Sequence, residues 1–329
     1  MLAVLPSEDH RPIPRVGEVP DPVPGPGEIL VEVEAAGVNH AELLQVRGLY
    51  PPPPGESDVP GLECAGRVAG DPRTEVPGTW QPGARVMALL AGGGHATRVA
   101  VPAGQLMPLP GNLSYVEGGA IPEAALTAWT NLVAEGGLQP GETVLVTGAS
   151  GGVGSFAVQL ARELGARVLA AGRNRDRLEM LRELGIDEIC LEGASLPQQV
   201  REATGGRGAD LVLDLVSGPH FPEHLAALRE KGRLVLVGAV AGAKSEVELS
   251  SLLRRRLRVT GSVLRPRSRE EKSRLVSDFI SFALPRLKDG RLRPVIDRVV
   301  PFDRAPEAYK ALAQGGVFGK VVLDMSGSR

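Results

Sequence analysis

The residues that most clearly indicate chemistry are the glycines of a turn near the middle of the chain. A run of apolar strand-forming residues at 144–147 ends in this turn and continues into an amphipathic helix. Glycine takes backbone angles closed to other residues, and its missing side chain lets a pyrophosphate approach the helix N-terminus. The turn therefore predicts a bound dinucleotide, with these phosphate-binding residues: Gly148, Gly151, Gly152, Val153 and Gly154.

The end of the next predicted strand indicates which dinucleotide is bound. A carboxylate about 20 residues after the turn is typical of NAD sites, where it binds the ribose hydroxyls. This chain has Arg173, Asn174 and Arg177 there instead. Guanidinium groups favour a ribose 2′-phosphate, so the predicted cofactor is NADPH, although arginines of a solvated first helical turn would give the same pattern. Glu192, after the third strand, is a charge that would repel such a phosphate.

The composition narrows the classes of partner. A length of 329 residues is enough for two domains, and a formal net charge of −2 gives no broad basic surface for nucleic acid. No apolar run is long enough to span a membrane, and the N-terminus lacks the pattern of a signal peptide. We therefore expect a cytoplasmic protein without nucleic-acid or membrane partners. Two cysteines, Cys64 and Cys190, are too few for a disulfide scaffold.

Two different patterns of apolar residues along the chain indicate two domains of an α/β protein. Roughly the first 115 residues are short apolar runs broken by proline and glycine, which predicts a β-rich domain. These runs lie at 29–36, 66–69, 85–90 and 97–101. From about residue 120, apolar strands alternate with helical patterns, which predicts a doubly wound parallel sheet. These strands are predicted at 144–147, 167–171, 188–191, 211–215, 233–238 and 258–263.

The tail of the chain again has the short-strand pattern of the first domain. A helix is predicted at 269–287, followed by strands at 294–300 and 320–323 that we expect to close back onto the β-rich domain. The predicted division therefore places residues 1–120 and 265–329 in one domain and residues 121–264 in the other.

Motifs spread over nearly the whole chain carry a family resemblance. They lie at 37–42, 47–51, 60–68, 82–86 and 319–323. In this order they resemble the zinc-free quinone oxidoreductases of the medium-chain dehydrogenase/reductase superfamily. Segments 1–4, 88–94 and 120–124 resemble more narrowly the p53-inducible quinone oxidoreductase subgroup. The resemblance implies a GroES-like catalytic domain, a Rossmann domain, a cofactor groove between them, and a homodimer joined through the strand at 258–263.

The resemblance also bears on metal chemistry. Zinc alcohol dehydrogenases have a cysteine where this chain has Asn39 and a histidine where it has Leu62. Leucine has no lone pair for a metal, and an asparagine amide is a poor substitute for thiolate. We therefore expect no metal and no Lewis-acid activation of alcohols. The predicted reaction is hydride transfer to an acceptor that is already electrophilic: a quinone, or alternatively an enone or 2-alkenal.

Further site residues follow from the resemblance. Asn39, His40 and Glu42 are expected against the nicotinamide half of the cofactor, and Thr127 and Thr130 against its carboxamide. Loops after later strands would complete the cofactor site through Ser217, Gly238, Ala239, Val240, Val263, Leu264 and Arg265.

The candidate catalytic residues are Tyr50, Asn39 and Thr127. Tyr50 resembles a family tyrosine at the substrate mouth. It could stack on a quinone ring, donate a proton, or pack on the four prolines that follow it.

Three rival interpretations stay open at this point. Ser150 lies in a G-x-S-x-G pattern, the nucleophile elbow of hydrolases, but only His220 and His224 follow it, close behind Asp214. These histidines have helical spacing and could bind a metal, although a helix starting at Pro222 also explains them. The chain could also bind NADPH without catalysing its oxidation.

Overall fold

The chain forms two compact units in the computed structural model, which describes residues 1–7, 13–70 and 80–328. Unit 1 combines Met1–Leu126 with Leu264–Arg329, and unit 2 is Thr127–Val263. The sequence-based division had its boundaries after residues 120 and 264.

Strands make up most of unit 1 and the centre of unit 2. In chain order they are β1 Leu2–Leu5, β2 Arg15–Glu18, β3 Glu28–Val38, β4 Glu63–Val68, β5 Arg85–Leu89, β6 Arg98–Pro102, β7 Leu106–Pro108, β8 Thr143–Val146, β9 Arg167–Gly172, β10 Glu188–Leu191, β11 Ala209–Asp214, β12 Leu228–Leu236, β13 Arg258–Gly261, β14 Ile296–Pro301 and β15 Lys320–Asp324. The short strands β1, β2 and β7 were not among the predicted strands.

The α-helices are mostly short. They are α1 His40–Gln45, α2 Tyr115–Gly118, α3 Pro122–Trp129, α4 Gly152–Glu163, α5 Arg175–Glu179, α6 Leu196–Ala203, α7 Phe221–Ala227, α8 Leu249–Arg255, α9 Arg269–Lys288 and α10 Ala305–Gln314. A π-helical turn, Thr130–Ala134, follows α3. Within the described ranges, no helix is long and apolar enough to cross a membrane.

Unit 1 is built on a sheet in the order β14-β15-β3-β4-β5-β7, with β6 also pairing with β3. Alternate residues of β3, such as Ile29, Val31 and Val33, are buried in an aliphatic core. The tail strand β15 pairs antiparallel with β3, and Val321 lies opposite Val38. The tail thus closes back onto the first domain, as its sequence texture predicted.

Unit 2 is a parallel sheet in the order β10-β9-β8-β11-β12-β13. Numbered from β8, this is the Rossmann order 3-2-1-4-5-6. Strands β8 and β11 are buried throughout, as expected for strands with helices on both faces of the sheet. The predicted doubly wound fold is confirmed. The strand order reverses between β8 and β11. Folds of this kind bind ligands at such a point, beyond the carboxyl ends of the strands.

Candidate active site

The glycine-rich turn lies directly after β8, at the carboxyl edge of the unit 2 sheet. Gly148 has a φ of +59°, a left-handed conformation that favours glycine. A Cβ on Gly154 would stand 2.4 Å from the Gly148 carbonyl oxygen, so helix α4 can pack this closely only without a side chain there. A Cβ on Gly151 would meet only one atom, at 3.4 Å, so the space in front of the turn is open.

The first turn of α4 has the character of an anion site. Gly151 is the N-cap and supplies no side-chain hydrogen bond, while Gly152, Val153 and Gly154 begin the helix. The first backbone N–H groups of a helix have no intrahelical acceptor, and the helix dipole favours negative charge there. This geometry suits a phosphate group.

The arginines after β9 share this edge of the sheet. Arg173 and Asn174 are exposed, and Asn174 caps α5 by accepting a hydrogen bond from the Arg177 backbone at 3.0 Å. Among the described residues, neither Arg173 nor Arg177 has an ion-pair partner, whereas Arg175 lies 3.8 Å from Glu179. Two guanidinium groups are therefore available to an anionic ligand of unit 2.

A strained loop follows β11. Ser217 is buried with φ 53° and ψ −141°, a conformation that a non-glycine residue rarely adopts. Asp214 holds it, because its Oδ1 accepts hydrogen bonds from the backbones of Val216 at 3.0 Å and Ser217 at 2.8 Å. The same oxygen accepts a 3.3 Å hydrogen bond from Thr147, the residue before the glycine turn. Asp214 thus ties this loop to the turn.

The remaining strand-end residues differ in exposure. Gly238 and Ala239 follow β12, and the Gly238 backbone donates a 3.3 Å hydrogen bond to the Asp214 carbonyl. Val240 is 63% exposed and Val263, after β13, is 55% exposed. Leu264 begins the second segment of unit 1 and is buried.

His224 lies between two carboxylates inside unit 2. Its Nδ1 is 3.1 Å from Asp214 Oδ2, and its Nε2 is 3.1 Å from Glu192 Oε2. The side chains of His224 and Asp214 are fully buried and that of Glu192 is 2% exposed. Burial would lower the pKa of His224, but the two carboxylates outweigh it and raise the pKa to about 9. The imidazole is therefore an imidazolium at neutral pH.

This arrangement bears on two of the rival interpretations. Both ring nitrogens of His224 face carboxylates, so the ring is not available as a general base for Ser150. An imidazolium has no lone pair for a metal. Among the described residues, no group of three or more His, Cys, Asp or Glu side chains is arranged to hold a metal ion.

In unit 1 the sheet brings a lysine, an asparagine and a glutamate together. Lys320 begins β15, Asn39 follows the end of β3, and Glu63 begins β4. Because β3 lies between the other two strands, their side chains meet. Lys320 Nζ donates to Asn39 Oδ1 and to Glu63 Oε1, both at 2.5 Å, and Asn39 Nδ2 donates to Glu63 Oε1 at 3.1 Å. We call these three residues the lysine cluster.

Glu42 is hydrogen-bonded to Asn39 of the lysine cluster. Its carboxylate has no exposed surface and accepts hydrogen bonds from the Asn39 backbone at 2.7 Å and the Leu62 backbone at 3.0 Å. Burial raises its pKa. Glu42 was expected against the nicotinamide half of the cofactor, and its internal donors let it position Asn39 there. His40, in contrast, is exposed on α1.

Arg265, another residue expected at the cofactor, is also buried on internal partners. It is 3% exposed and donates hydrogen bonds to the Ala91 carbonyl at 2.8 Å, the Tyr50 carbonyl at 3.1 Å and Gln45 Oε1 at 2.8 Å. Its guanidinium lies 5.1 Å from the centre of the Tyr50 ring. Arg265 therefore holds Tyr50 in place through its carbonyl and its ring. The Tyr50 hydroxyl has no hydrogen-bond partner among the described residues, and its ring is only partly buried.

Thr127 and Thr130 differ in exposure and in hydrogen bonding. Thr127 is 7% exposed, and its carbonyl accepts a 2.8 Å hydrogen bond from the side chain of Asn131. Thr130 has no exposed surface, and its Oγ1 is buried without a partner among the described residues. The contact expected between Thr130 and a carboxamide stays a prediction. The π-helical turn at 130–134 marks this segment, since such turns are frequent at functional sites.

Glu123 is a site residue that sequence reasoning missed. Its backbone N–H donates to Glu63 Oε2 at 2.9 Å, while its own carboxyl group has no hydrogen-bond partner among the described residues. Burial, with repulsion from Glu63 and Glu42, raises the pKa of Glu123 to about 8. The group is therefore a neutral carboxylic acid at pH 7. Its position inside one of the family-like motifs was the available signal.

A cavity elsewhere in unit 1 contains none of the predicted site residues. It has a volume of about 910 Å³, and Leu2, Phe302 and Met325 are among the residues that line it. Size alone does not make it a site, and the chemistry of unit 1 lies at the lysine cluster.

Comparison with protein families matches both units. Residues 25–111 match the alcohol dehydrogenase GroES-like domain, and residues 152–281 match the zinc-binding dehydrogenase family. The chain is 31% identical over 325 residues to quinone oxidoreductase-like protein 2 of Bos taurus, covering 98% of this chain and 92% of the relative.

Two solved structures are similar over nearly the whole chain. The quinone oxidoreductase of Thermus thermophilus, described also in complex with NADPH, has 38% identity and a TM-score of 0.83, covering 98% of this chain and 100% of the other. An NAD-dependent alcohol dehydrogenase has 31% identity and a TM-score of 0.83, covering 98% and 99%. The fold is thus shared by enzymes with different cofactors and substrates.

The buried imidazolium predicts a pH-dependent stability. A folded pKa of about 9, above an unfolded value near 6.5, stabilises the fold fully below pH 6.5, and this stabilisation is lost as pH rises through 9. Between pH 6 and pH 10 the wild type should lose about 3 kcal/mol more unfolding free energy than His224→Gln. Urea unfolding at both pH values measures this difference.

The control is His220→Gln. The His220 ring lies 6.3 Å from that of His224, centre to centre, but His220 makes no ion pair with Asp214 or Glu192 among the described contacts. This variant should follow the wild type. If His224→Gln and the wild type lose the same free energy, the imidazolium is not part of the folded state.

Proposed function

The chain belongs to the medium-chain dehydrogenase/reductase superfamily, and on this basis we propose that it is a zinc-independent reductase that uses NADPH to reduce quinones. The observation that carries the proposal is the lysine cluster. Where zinc enzymes of the family need ligands, Asn39 accepts a hydrogen bond from the Lys320 ammonium, and Leu62 has no donor atom. A resident cation competes with a metal for Asn39, so activation of an alcohol by zinc is disfavoured.

The residues of unit 2 fit NADPH. The open space before Gly151, the uncapped first turn of α4 and the close packing at Gly154 provide a cradle for a pyrophosphate. Arg173 and Arg177 have no ion-pair partners among the described residues and suit a 2′-phosphate. Quinone reduction is supported by the bovine relative and by the Thermus enzyme, whose NADPH complex is known.

Hydride transfer to a quinone needs a proton as well as a hydride. NADPH, when bound, supplies the hydride, and the reduced quinone oxygen then takes up a proton. Glu123 is the proton donor that unit 1 offers, because its carboxyl group is neutral at pH 7 and is not held by another side chain. Part of the residue is exposed, so solvent can reprotonate it. Tyr50, held by Arg265, offers a ring on which a quinone can stack.

Anaerobic oxidation of NADPH by the purified protein tests the reaction class. The acceptors are an ortho-quinone, a para-quinone, an enone and none, and each assay is repeated with NADH and with a metal chelator. We expect rapid turnover with a quinone, a preference for NADPH and no effect of the chelator.

The other outcomes of this panel identify the alternatives. Turnover of the enone alone would make the protein an alkenal reductase. Binding of NADPH without turnover would make it a binding protein, and loss of activity on chelation or oxidation of simple alcohols would contradict the zinc-independent proposal.

The role of Glu123 predicts a pH profile. In the wild type, kcat for quinone reduction should fall above pH 8, because the carboxylic acid is then ionised. Glu123→Gln should lower kcat about 100-fold and abolish this limb of the profile while leaving NADPH affinity unchanged.

The matched control is Glu117→Gln. Glu117 is part of the capping box of α2, which glutamine can also form, so the variant should behave as the wild type. An unchanged pH limb in Glu123→Gln would show that the proton comes from another source.

The proposed homodimer uses strand β13. It pairs only with β12 among the described strands, and its four residues are exposed, including Val259 at 43%. An exposed edge strand can pair with a second copy, which would bury these side chains. Val259→Lys should convert the protein from a dimer to a monomer in light scattering.

Val299→Lys is the control, because Val299 is 45% exposed on β14, the edge strand of the other sheet. That variant should stay dimeric. A monomeric wild type would contradict the proposed homodimer, and a dimer that survives Val259→Lys would place the interface elsewhere.

A further inference from the structure

Glu192 and Arg173 stand side by side in the backbone of unit 2. In the pairing of β10 with β9, Leu191 lies opposite Gly172, and the Glu192 N–H donates to the Gly172 carbonyl at 3.0 Å. The next residue of each strand is thus Glu192 on one and Arg173 on the other. The backbone of Glu192 therefore lies at the same sheet edge as the arginines.

The Glu192 side chain does not stay at that edge. It turns into the interior, where it is 2% exposed and its Oε2 lies 3.1 Å from His224 Nε2. Its other oxygen, Oε1, is buried without a hydrogen-bond partner among the described residues. The imidazolium of His224 is thus the main attraction that holds this carboxylate inside, because a buried carboxylate without a cation is strongly disfavoured.

His224 is itself fixed from the opposite side. Its Nδ1 is 3.1 Å from Asp214 Oδ2, and the other oxygen of Asp214 is held by the backbones of Val216 and Ser217. The ring therefore cannot follow Glu192 outward without breaking its pair with Asp214.

We infer that His224 is a specificity-determining positioning residue, which selects NADPH over NADH by holding Glu192 away from the arginine-bearing end of β9. This inference rests on the proposed use of NADPH. With Glu192 held inside, the edge presents Arg173 and Arg177 and attracts a 2′-phosphate. With Glu192 released, the same edge would present a carboxylate that repels this phosphate and accepts hydrogen bonds from the ribose hydroxyls of NADH.

Nucleotide binding without an acceptor tests this inference. The affinities of NADPH and NADH are measured by fluorescence titration for the wild type, His224→Gln, Glu192→Gln and the double variant. His224→Gln should lower the preference for NADPH about tenfold, mainly through weaker NADPH binding. Glu192→Gln and the double variant should keep the wild-type preference, because neither has a charge to release.

A second pair of variants keeps the test valid if His224→Gln does not fold. Glu192→Asp keeps the negative charge but is one methylene shorter, so its carboxylate is drawn back from His224 toward the strand end. It should lose preference for NADPH, whereas Glu192→Gln should not. His220→Gln is the histidine control and should match the wild type.

The outcomes separate this inference from the proposed function. A wild type that binds neither nucleotide, or prefers NADH, would contradict the proposed function itself. A wild type that prefers NADPH, with His224→Gln and Glu192→Asp unchanged in preference, would overturn the role of His224 alone. Equal weakening of both nucleotides in these variants would also overturn it, because that result indicates a structural role.

Discussion

A carboxylate buried in a protein must be matched by a cation or by hydrogen-bond donors, because its removal from water costs several kcal/mol. This constraint organises both units of the chain. Unit 1 buries Glu42 and Glu63, and unit 2 buries Asp214 and turns Glu192 inward. In each unit one basic side chain, Lys320 or His224, provides the compensating charge. The positions of the functional residues follow from how each carboxylate is matched.

In unit 1 the pairing of the buried carboxylate with a cation depends on strand order. Lys320 is the first residue of the last strand, β15. Its side chain contacts Glu63 on β4 because β15 and β4 are the two neighbours of β3 in the sheet. The tail of the chain is therefore necessary for the site and not only for the core. Under the proposed function, Lys320 neutralises the site from within the chain. The carboxyl group of Glu123, next to Glu63 through its backbone, accepts no hydrogen bond among the described residues, and burial with repulsion from Glu63 and Glu42 outweighs the attraction of nearby lysines, so its proton is retained at neutral pH.

In unit 2 the groups that compensate Asp214 belong to elements that a dinucleotide would contact. Asp214 accepts hydrogen bonds from Thr147 before the glycine turn and from the strained backbone at Ser217, and it also pairs with His224. One carboxylate thus fixes the strand end, the loop and the helix together. Strain at Ser217 persists because these contacts determine its backbone conformation. Arg173 and Arg177, after β9, have no ion-pair partner in the described part of the chain and remain open to a ligand.

The sequence by itself determined the parts that depend on local pattern. The glycine turn, the apolar strands of unit 2 and the return of the tail were predictable because strand periodicity and turn chemistry act over a few residues. Tertiary structure alone decided the partners of the charged residues. Glu42 and Arg265 were expected at a cofactor but are buried on internal groups, and Glu192 was expected to face a phosphate but pairs with His224. Such pairings join residues far apart in the chain, and no local pattern specifies them.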